Sequence, residues 1–204
     1  MQNRLTLAVN PGILLRDREL RLDQQQRAMI DWAKVDDHQA ILDTNCGNGS
    51  LLAHYIQHYS LRACGMVYNS EQQLAAELQL DQRAEILRAA RTDIPWRNET
   101  FNAVFAAGPA ISQPEMLMFL KEVYRVLLPQ GQLLAAFPCV PIITRLGIKG
   151  IKSQGYSSIN APYTFMEQLG VCGFSDISMR ISRLKFATII AYKEHRGTKS
   201  ALTA

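Results

Sequence analysis

The 204 residues are 48% apolar and 20% charged, and the formal net charge is +4. A chain of this length and balance predicts a single globular domain that buries its core without a metal or disulfide bonds. No run approaches the ~18 apolar residues of a membrane span, and the first twenty residues, which become heavily charged, are unlike a secretory signal.

Short apolar strands alternate with amphipathic helices along the chain. A strand over 40–42 ends at Asp43 and a glycine loop, and a helix over 51–59 follows. The later predicted elements are a strand 63–67, a helix 71–80, strands 86–90 and 101–106, a helix 115–127 stopped by Pro129 and Gly131, a strand 133–137, a helix 164–171, and a closing hairpin of strands 177–181 and 186–192.

This alternation predicts an α/β fold in which helices cover both faces of an open, doubly wound and mostly parallel sheet. In such a sheet the ligand binds at the carboxyl ends of the strands, near the switch in strand order. We therefore expect the segments 43–49, 68–69, 90–93 and 106–109 to line one cleft.

The segment ILDTNCGNGSLL places an acid at a strand end, then two glycines, then a helix start. Glycine allows positive φ and close approach of a ligand to the backbone, and a helix N-terminus adds unpaired N–H groups. The spacing differs from the G-x-G-x-x-G of nicotinamide enzymes, and no Gly-Lys-Ser/Thr follows to make a phosphate loop. By itself the loop is also compatible with an ordinary tight turn.

Four segments resemble, in order, the motifs of class I S-adenosylmethionine (SAM)-dependent methyltransferases. ILDTNCGNGSLLAHYI resembles the first motif, VLDLGCGTG; TDIPWRNETFNAVFAAG resembles "D-x-x-LP-F … FD-x-V"; FLKEVYRVLLPQGQLLAAFP resembles "L-x-E-x-x-RVLKPGG-x-L"; and YTFMEQLGVCGFSDISM resembles "T-x-E-x-x-x-L-L-x-x-AGF-x-x-V". The resemblance runs from about residue 40 to residue 192 and is nearest the group that includes the ubiquinone and menaquinone C-methyltransferases. It implies a Rossmann-like, seven-stranded sheet with a C-terminal antiparallel hairpin.

The resemblance also implies a function and a set of site residues. The cofactor would be SAM, and its methyl group would pass directly to O, N or C of a small-molecule substrate. In the family, the first-motif acid positions the methionine end and the glycines pass beneath the cofactor. The implied cofactor-binding residues are Asp43, Thr44, Asn45, Gly47, Gly49, Tyr68, Asn69, Arg91, Asp93 and Ala107.

Two departures from the family pattern concern the loop and the second strand. Asn45 replaces the usual first glycine, and we expect it to keep the turn because asparagine tolerates left-handed φ. Tyr68 stands where an acid normally takes both ribose hydroxyls, and a neutral phenol cannot accept two hydrogen bonds as a carboxylate does. We expect Asn69 or Glu71 to substitute in part.

Two further departures follow along the chain. Ala90 stands where an acid meets the adenine amino group, with the backbone at Arg91 and the Asp93 side chain nearby. Asn102 replaces the acid of the "FD" pair. Loss of a ribose carboxylate weakens binding by about 10- to 100-fold, so a non-catalytic binding or scaffold protein stays an alternative, as does another small-molecule reaction in the same pocket.

The charge is unevenly placed, since nine Lys and Arg oppose three Asp and Glu from Arg145 onward, a net of +6. The segment 139–160 mixes isoleucines with Arg145, Lys149 and Lys152, and in this family such segments cover the substrate together with an N-terminal helix, here within 1–38. This predicts a substrate that is apolar and carries an anionic group, although an ordinary packed connection is nearly as compatible. A basic tail, 193–204, is interpreted as a solvated surface.

No catalytic residue is assigned, and Tyr156 and Tyr163 are the candidate acid or base groups. His54 and His58 lie on the polar side of a helix without a third ligand, so we expect no metal site. The cysteines form no C-x-x-C pair, which predicts reduced thiols in the cytoplasm, and Cys46 is interpreted as packing beneath the loop. No arginine-rich run indicates nucleic acid. The oligomeric state stays open, a homodimer included.

Overall fold

The computed structural model describes residues 22–107, 113–138, 161–182 and 186–194. Within these ranges the helices are α1 (Gln24–Ile30), α2 (Ser50–His58), α3 (Ser70–Leu80), α4 (Gln113–Val126) and α5 (Ala161–Val171). The strands are β1 (Ala40–Asp43), β2 (Arg62–Val67), β3 (Ala84–Arg88), β4 (Phe101–Ala107), β5 (Leu127–Pro138), β6 (Phe174–Ser182) and β7 (Phe186–Lys193). The predicted substrate cover, with its three basic residues and Tyr156, lies outside the described residues, as do 1–21, Gly108, Pro109 and the tail from 195. The prediction of a solvated tail is wrong at its first residue, because Lys193 ends β7, is buried, and donates from Nζ to the carbonyl of Leu127 at 2.7 Å.

The seven strands form one sheet in the order β3-β2-β1-β4-β5-β7-β6. Neighbouring strands among β1 to β5 pair in parallel, whereas β7 pairs antiparallel with both β5 and β6. The predicted Rossmann-like sheet and its C-terminal antiparallel hairpin are confirmed. Because β1 has β2 on one side and β4 on the other, the strand order reverses there, and the loop after β1 lies at the position where such sheets bind ligands.

Alternating side chains send two apolar clusters to opposite faces of the sheet. On β1, Leu42 faces the cluster built with α4 and α5, while Ile41 faces the cluster built with α1, α2 and α3. On β4, Val104 and Phe105 divide in the same way. Since a parallel strand buried on both faces favours apolar residues on both sides, residues 40–42 of β1 and 103–107 of β4 are continuous apolar runs that lead to the cleft.

One predicted boundary is wrong at the junction of α4 and β5. The sequence predicts a helix stopped by Pro129 and Gly131, but α4 ends at Val126 and β5 begins at the next residue. Leu127 is fully buried and pairs with Phe101, so the chain enters the sheet at once. The residues expected to form a turn form a bulge inside β5, where Gln130 has φ +64°.

Two other strand bounds differ from the prediction. β3 ends at Arg88, so Ala90 lies in the following loop. β6 begins at Phe174, three residues earlier than expected, because a register shift between Ser175 and Ser178 lets the pairing with β7 continue across Asp176, which has φ +49°.

The described part of the predicted N-terminal cover, residues 22–38, packs on the sheet. Its helix α1 begins with a capping box in which Asp23 and Gln26 exchange hydrogen bonds of 2.8 and 3.0 Å. The side-chain amide of Gln132 on β5 accepts from the N–H of Lys34 at 3.1 Å and donates to the same residue's carbonyl. Among the described helices, none has the length and apolar character needed to cross a bilayer.

Candidate cofactor site

The loop after β1 is fixed to both neighbouring strands. The backbone N–H and the hydroxyl of Thr44 both donate to the carbonyl of Phe105 on β4, at 2.9 and 3.0 Å. The N–H of Cys46 donates to the carbonyl of Met66 on β2 at 3.0 Å. These bonds hold the loop across the carboxyl ends of three adjacent strands before any ligand is present.

The left-handed turns of the loop fall at the two glycines. Gly47 has φ +54° and Gly49 has φ +83°. A Cβ added to Gly49 would lie 2.7 Å from Cδ1 of Leu80, so this glycine lets α2 begin close to α3. A Cβ on Gly47 would meet no atom within 4 Å, so this glycine leaves one side of its backbone open.

The expectation that Asn45 takes a left-handed conformation is wrong, since its φ is not positive. Its backbone N–H donates to Oδ1 of Asp43 at 3.0 Å, and its Nδ2 donates to the carbonyl of Ala107 at 3.5 Å. Asn45 therefore ties the loop to the end of β4, and the turn relies on Gly47 and Gly49.

Asp43 ends β1 with its side chain 2% exposed. Burial raises the pKa of this carboxyl from 3.8 to about 7, and the hydrogen bond from the N–H of Asn45 opposes that rise. A carboxyl group with this pKa exchanges its proton near neutral pH. Its charged form suits the ammonium group of a ligand that enters the cleft.

Tyr68 follows β2 directly and crosses to the loop. Its phenol donates to the carbonyl of Thr44 at 2.5 Å and accepts from Nε of Arg91 at 2.7 Å. The Arg91 guanidinium also lies over the Tyr68 ring, 4.8 Å from its centroid. Burial raises the pKa of the phenol while the cation opposes the rise, so Tyr68 is neutral at pH 7.

Asn69, the expected partial substitute for the ribose acid, caps α3 instead. Its Oδ1 accepts from the N–H of Gln72 at 2.8 Å, and Oε1 of Gln72 accepts from the N–H of Tyr68 at 3.1 Å. Gln72 was not among the predicted residues, although an Asn-x-x-Gln spacing is a signal for the start of a helix.

Two of the departures prove to have local explanations. Oδ1 of Asn102 accepts from the N–H of Ala40 at 2.9 Å and so fixes the start of β1, a bond for which an amide oxygen serves as well as a carboxylate. Ala90 is exposed, and its carbonyl accepts from the N–H of Asp93 at 3.1 Å in a turn that leaves Asp93 exposed.

The loop after β3 is held from below by α4. Arg125 donates to the carbonyls of Ile94 and Trp96 at 2.8 Å each, and it pairs with Glu122 at 2.7 Å. Oε2 of Glu122 also accepts from the N–H of Ile94 at 3.0 Å. The E-x-x-R segment of α4 therefore positions the loop that carries Arg91 and Asp93.

Hydrogen bonds thus join parts of all four segments that the sequence predicts around the cleft. Tyr68 reaches Thr44 and Arg91, and Asn45 reaches Ala107. An open backbone at Gly47 and a buried carboxyl group at Asp43 are compatible with the methionine end of SAM. The nucleoside end fits less well, because a neutral phenol and a guanidinium stand where a diol would need an acceptor.

The other singled-out side chains lie away from this chemistry. Cys46 is buried, its Sγ would be 2.7 Å from a Cβ on Gly65, and burial raises the pKa of its thiol, so it packs beneath the loop. Tyr163 is exposed on α5. His54 and His58 stack with ring centroids 4.5 Å apart, and no group of three metal-ligating side chains occurs in the described ranges.

Comparison with known proteins agrees with this geometry. Residues 41–131 match the family described as a methyltransferase domain. The chain is 31% identical over 103 residues to cycloartenol-C-24-methyltransferase 1 of Oryza sativa subsp. japonica. This alignment covers 48% of the chain and 29% of the relative. The chain is 28% identical over 145 residues to pavine N-methyltransferase of Thalictrum flavum subsp. glaucum, which covers 66% and 40%. The aligned parts therefore cover less than half the length of either relative.

Solved structures share the fold at low identity. The [4+2]-cyclase SpnF aligns with a TM-score of 0.66 at 16% identity, covering 87% of this chain and 86% of that chain. Phosphoethanolamine N-methyltransferase 2 of Haemonchus contortus, in complex with SAM, aligns with a TM-score of 0.65 at 14% identity, covering 84% and 52%. Residues 41–131 therefore match a methyltransferase-domain family, and the solved structures share the fold of this chain.

Proposed function

We propose that this chain is a SAM-dependent methyltransferase-like domain over residues 1–204 that transfers methyl groups to a small molecule. The observation that carries the proposal is the loop after β1, which is hydrogen-bonded to β2 and β4 and combines an open backbone at Gly47 with a buried acid at Asp43. A loop held in this way presents its backbone at a fixed position, and positioning is the main requirement of a reaction that depends on alignment.

Different residues would hold the two ends of the cofactor. Asp43 holds the ammonium of the methionine end, and Gly47 and Gly49 let the ligand approach the backbone. Thr44 and Asn45 keep the loop in place through their bonds to β4. The remaining candidates surround the nucleoside end and the end of β4: Tyr68, Asn69, Arg91, Asp93 and Ala107. Bound there, SAM supplies a methyl group on a positively charged sulfur for in-line attack by a substrate atom.

The composition of the segments after β5 favours one class of substrate. The basic excess after Arg145 and the isoleucines of 139–160 favour an apolar molecule with an anionic group. The resemblance to quinone C-methyltransferases favours carbon as the acceptor, while the two curated relatives are named as a C- and an N-methyltransferase. The reduced cysteines favour the cytoplasm, and a homodimer is compatible with the fold.

A second function, a non-catalytic binding or scaffold protein, is favoured by one observation. The phenol of Tyr68 already bonds to Thr44, in the region where a cofactor would cross the loop. A third, a different small-molecule reaction in the same pocket, is favoured by the likeness to a fold neighbour named as a [4+2]-cyclase.

Calorimetric titration with SAM and with S-adenosylhomocysteine (SAH) separates these functions. The methyltransferase proposal expects both to bind with one-to-one stoichiometry and to raise the melting temperature, with methionine and adenosine each binding far more weakly. Neither heat nor a thermal shift at saturating SAM and SAH would remove the enzyme proposal and leave the scaffold. Binding of both without methyl transfer to any tested quinone or amine acceptor would favour the third function.

A further inference from the structure

Three segments of the cleft meet at a single oxygen atom. The phenol belongs to Tyr68, the residue after β2. It donates to the carbonyl of Thr44, which begins the loop after β1, and it accepts from Arg91 in the loop after β3. Both hydrogen bonds are short, at 2.5 and 2.7 Å. The phenol therefore closes a bridge across the carboxyl ends of β1, β2 and β3.

The bridge lies where the proposed ligand would cross the sheet. A nucleoside-containing ligand in a doubly wound fold lies across these strand ends, beside the switch in strand order. The Tyr68 side chain reaches from the residue after β2 to Thr44, the first residue of the loop, so it crosses two of these strand ends. A ligand that reaches from one to the other competes with the ring for this space.

Arg91 gives the bridge a second role. Its Nε is bonded to the phenol, and its guanidinium forms no ion pair with any carboxylate of the described residues. A guanidinium only donates hydrogen bonds, and a hydroxyl oxygen can accept them. Once Tyr68 has moved, Arg91 is placed to donate to the ribose oxygens, the reverse of the polarity that a carboxylate would provide.

We propose that Tyr68 is a latch over the nucleoside end of the cleft, which must release Thr44 before an adenosyl ligand binds, and that Arg91 then receives the ribose. The inference rests on the proposed function and assigns to Tyr68 the control of affinity. In place of a ribose-binding acid, the site then has two hydrogen bonds, Tyr68–Thr44 and Tyr68–Arg91, that are exchanged for bonds to the ligand on binding.

The matched variants are Tyr68→Phe, which keeps the ring and removes both hydrogen bonds, and Tyr59→Phe, which makes the same change at a half-exposed residue at the end of α2. Calorimetry with SAH measures affinity in both. If Tyr68 is a latch, Tyr68→Phe should bind SAH about tenfold more tightly than the wild type, because the hydrogen bonds of the hydroxyl to Thr44 and Arg91 no longer resist opening. Tyr59→Phe should match the wild type, and Arg91→Met should bind more weakly than Tyr68→Phe.

A second measurement needs no ligand. Hydrogen exchange of the free protein should show faster exchange in 44–49 for Tyr68→Phe than for Tyr59→Phe, since the latch is one of the contacts on this loop. Equal or weaker SAH binding by Tyr68→Phe, with wild-type binding intact, overturns the latch and leaves the methyltransferase proposal standing. Faster exchange without SAH binding by any variant overturns both the ligand role of the latch and the proposed function.

Discussion

Asp43 accepts a hydrogen bond from the N–H of Asn45 at 3.0 Å while its carboxyl group is almost completely buried. One hydrogen bond only partly offsets the loss of water, so burial raises the pKa of this carboxyl to about 7. An acid in this condition opposes folding at the pH at which its charge is most useful to a cationic ligand. Two of the predictions below follow from that opposition.

The first prediction concerns stability. Because the folded pKa of about 7 lies above the unfolded value of 3.8, the folded state binds more protons between these limits, and the free energy of unfolding falls as pH rises through them. The loss is at most about 4 kcal/mol. Asp43→Asn keeps an oxygen for the Asn45 N–H and removes this loss, so urea unfolding should show it gaining stability over the wild type from pH 4 to pH 8.

The control for that comparison is Asp36→Asn, at an exposed position. Its difference from the wild type should not change over the same range of pH. A constant difference between Asp43→Asn and the wild type from pH 4 to pH 8 would mean that Asp43 is ionised throughout, against the effect of its burial.

The second prediction concerns ligand binding. The SAH ammonium attracts Asp43 only when the carboxyl is ionised, and with a pKa of about 7 the ionised fraction rises from roughly a tenth at pH 6 to roughly nine tenths at pH 8. The association constant for SAH should therefore rise up to about tenfold across this range. Calorimetry checks it, and Asp43→Asn should bind weakly with a flat profile. A wild-type profile as flat as that of the variant would place the ligand away from Asp43.

The third prediction separates folding from binding at two glycines. Gly47→Ala adds a methyl group that meets no protein atom, so its stability cost is the strain of left-handed φ, about 1–2 kcal/mol, while the methyl group enters the space above the loop and should abolish SAH binding. Gly49→Ala combines the same strain with a contact of 2.7 Å to Leu80 and should cost more than Gly47→Ala.

Gly170→Ala is the control, since it lies on α5 with no atom within 4 Å and an ordinary φ. It should be neutral or add about 0.5 kcal/mol, with SAH binding unchanged. Thermal unfolding and calorimetry measure both effects. Unchanged SAH affinity in Gly47→Ala would show that no ligand passes over this loop.

The fourth prediction concerns the loop beneath the nucleoside end. Arg125→Lys cannot hold Glu122 and the carbonyls of Ile94 and Trp96 together, because an ammonium lacks the guanidinium fork, and it should cost about 2 kcal/mol in urea unfolding. Arg62→Lys is the control, since the Arg62–Glu85 pair is roughly half exposed and should cost less than about 0.5 kcal/mol. Equal costs for the two variants would contradict the structural role of Arg125.

Much of the fold was predictable because several strands contain apolar runs, such as 40–42, 103–107 and 133–137, that are flanked by polar, glycine or proline residues. The gathering of the cleft segments followed from topology alone, since the carboxyl ends of parallel strands share one edge of the sheet. The junction at Val126 and Leu127 was not predictable in the same way. Pro129 and Gly131 are typical of turns, but the pairing of Leu127 with Phe101 is a contact between distant parts of the chain, and it outweighed the local signal.

The hydrogen bonds around the cleft were not predictable from the sequence. Residue type placed Tyr68 at the end of β2 and indicated that it is a poor ribose acceptor. Nothing local to Tyr68 specifies that its phenol reaches Thr44, because that depends on the side-chain direction at a strand end and on where Arg91 lies. The same holds for Asn45. Asparagine tolerates a left-handed φ, but nothing local in the sequence shows that Asn45 instead bonds to Ala107 at the end of β4.

The position of β7 between β5 and β6 has a consequence for synthesis. β7 (Phe186–Lys193) lies between β5 and β6 and is the last strand to be synthesised. Until it emerges from the ribosome, the edge of β5 has no strand to pair with. That edge resembles the surfaces on which nascent chains aggregate, and it stays uncovered until residue 193 has emerged. A premature stop codon or a stalled ribosome before Phe186 would therefore release a chain that depends on chaperones, although every residue of the proposed cofactor site would already be present.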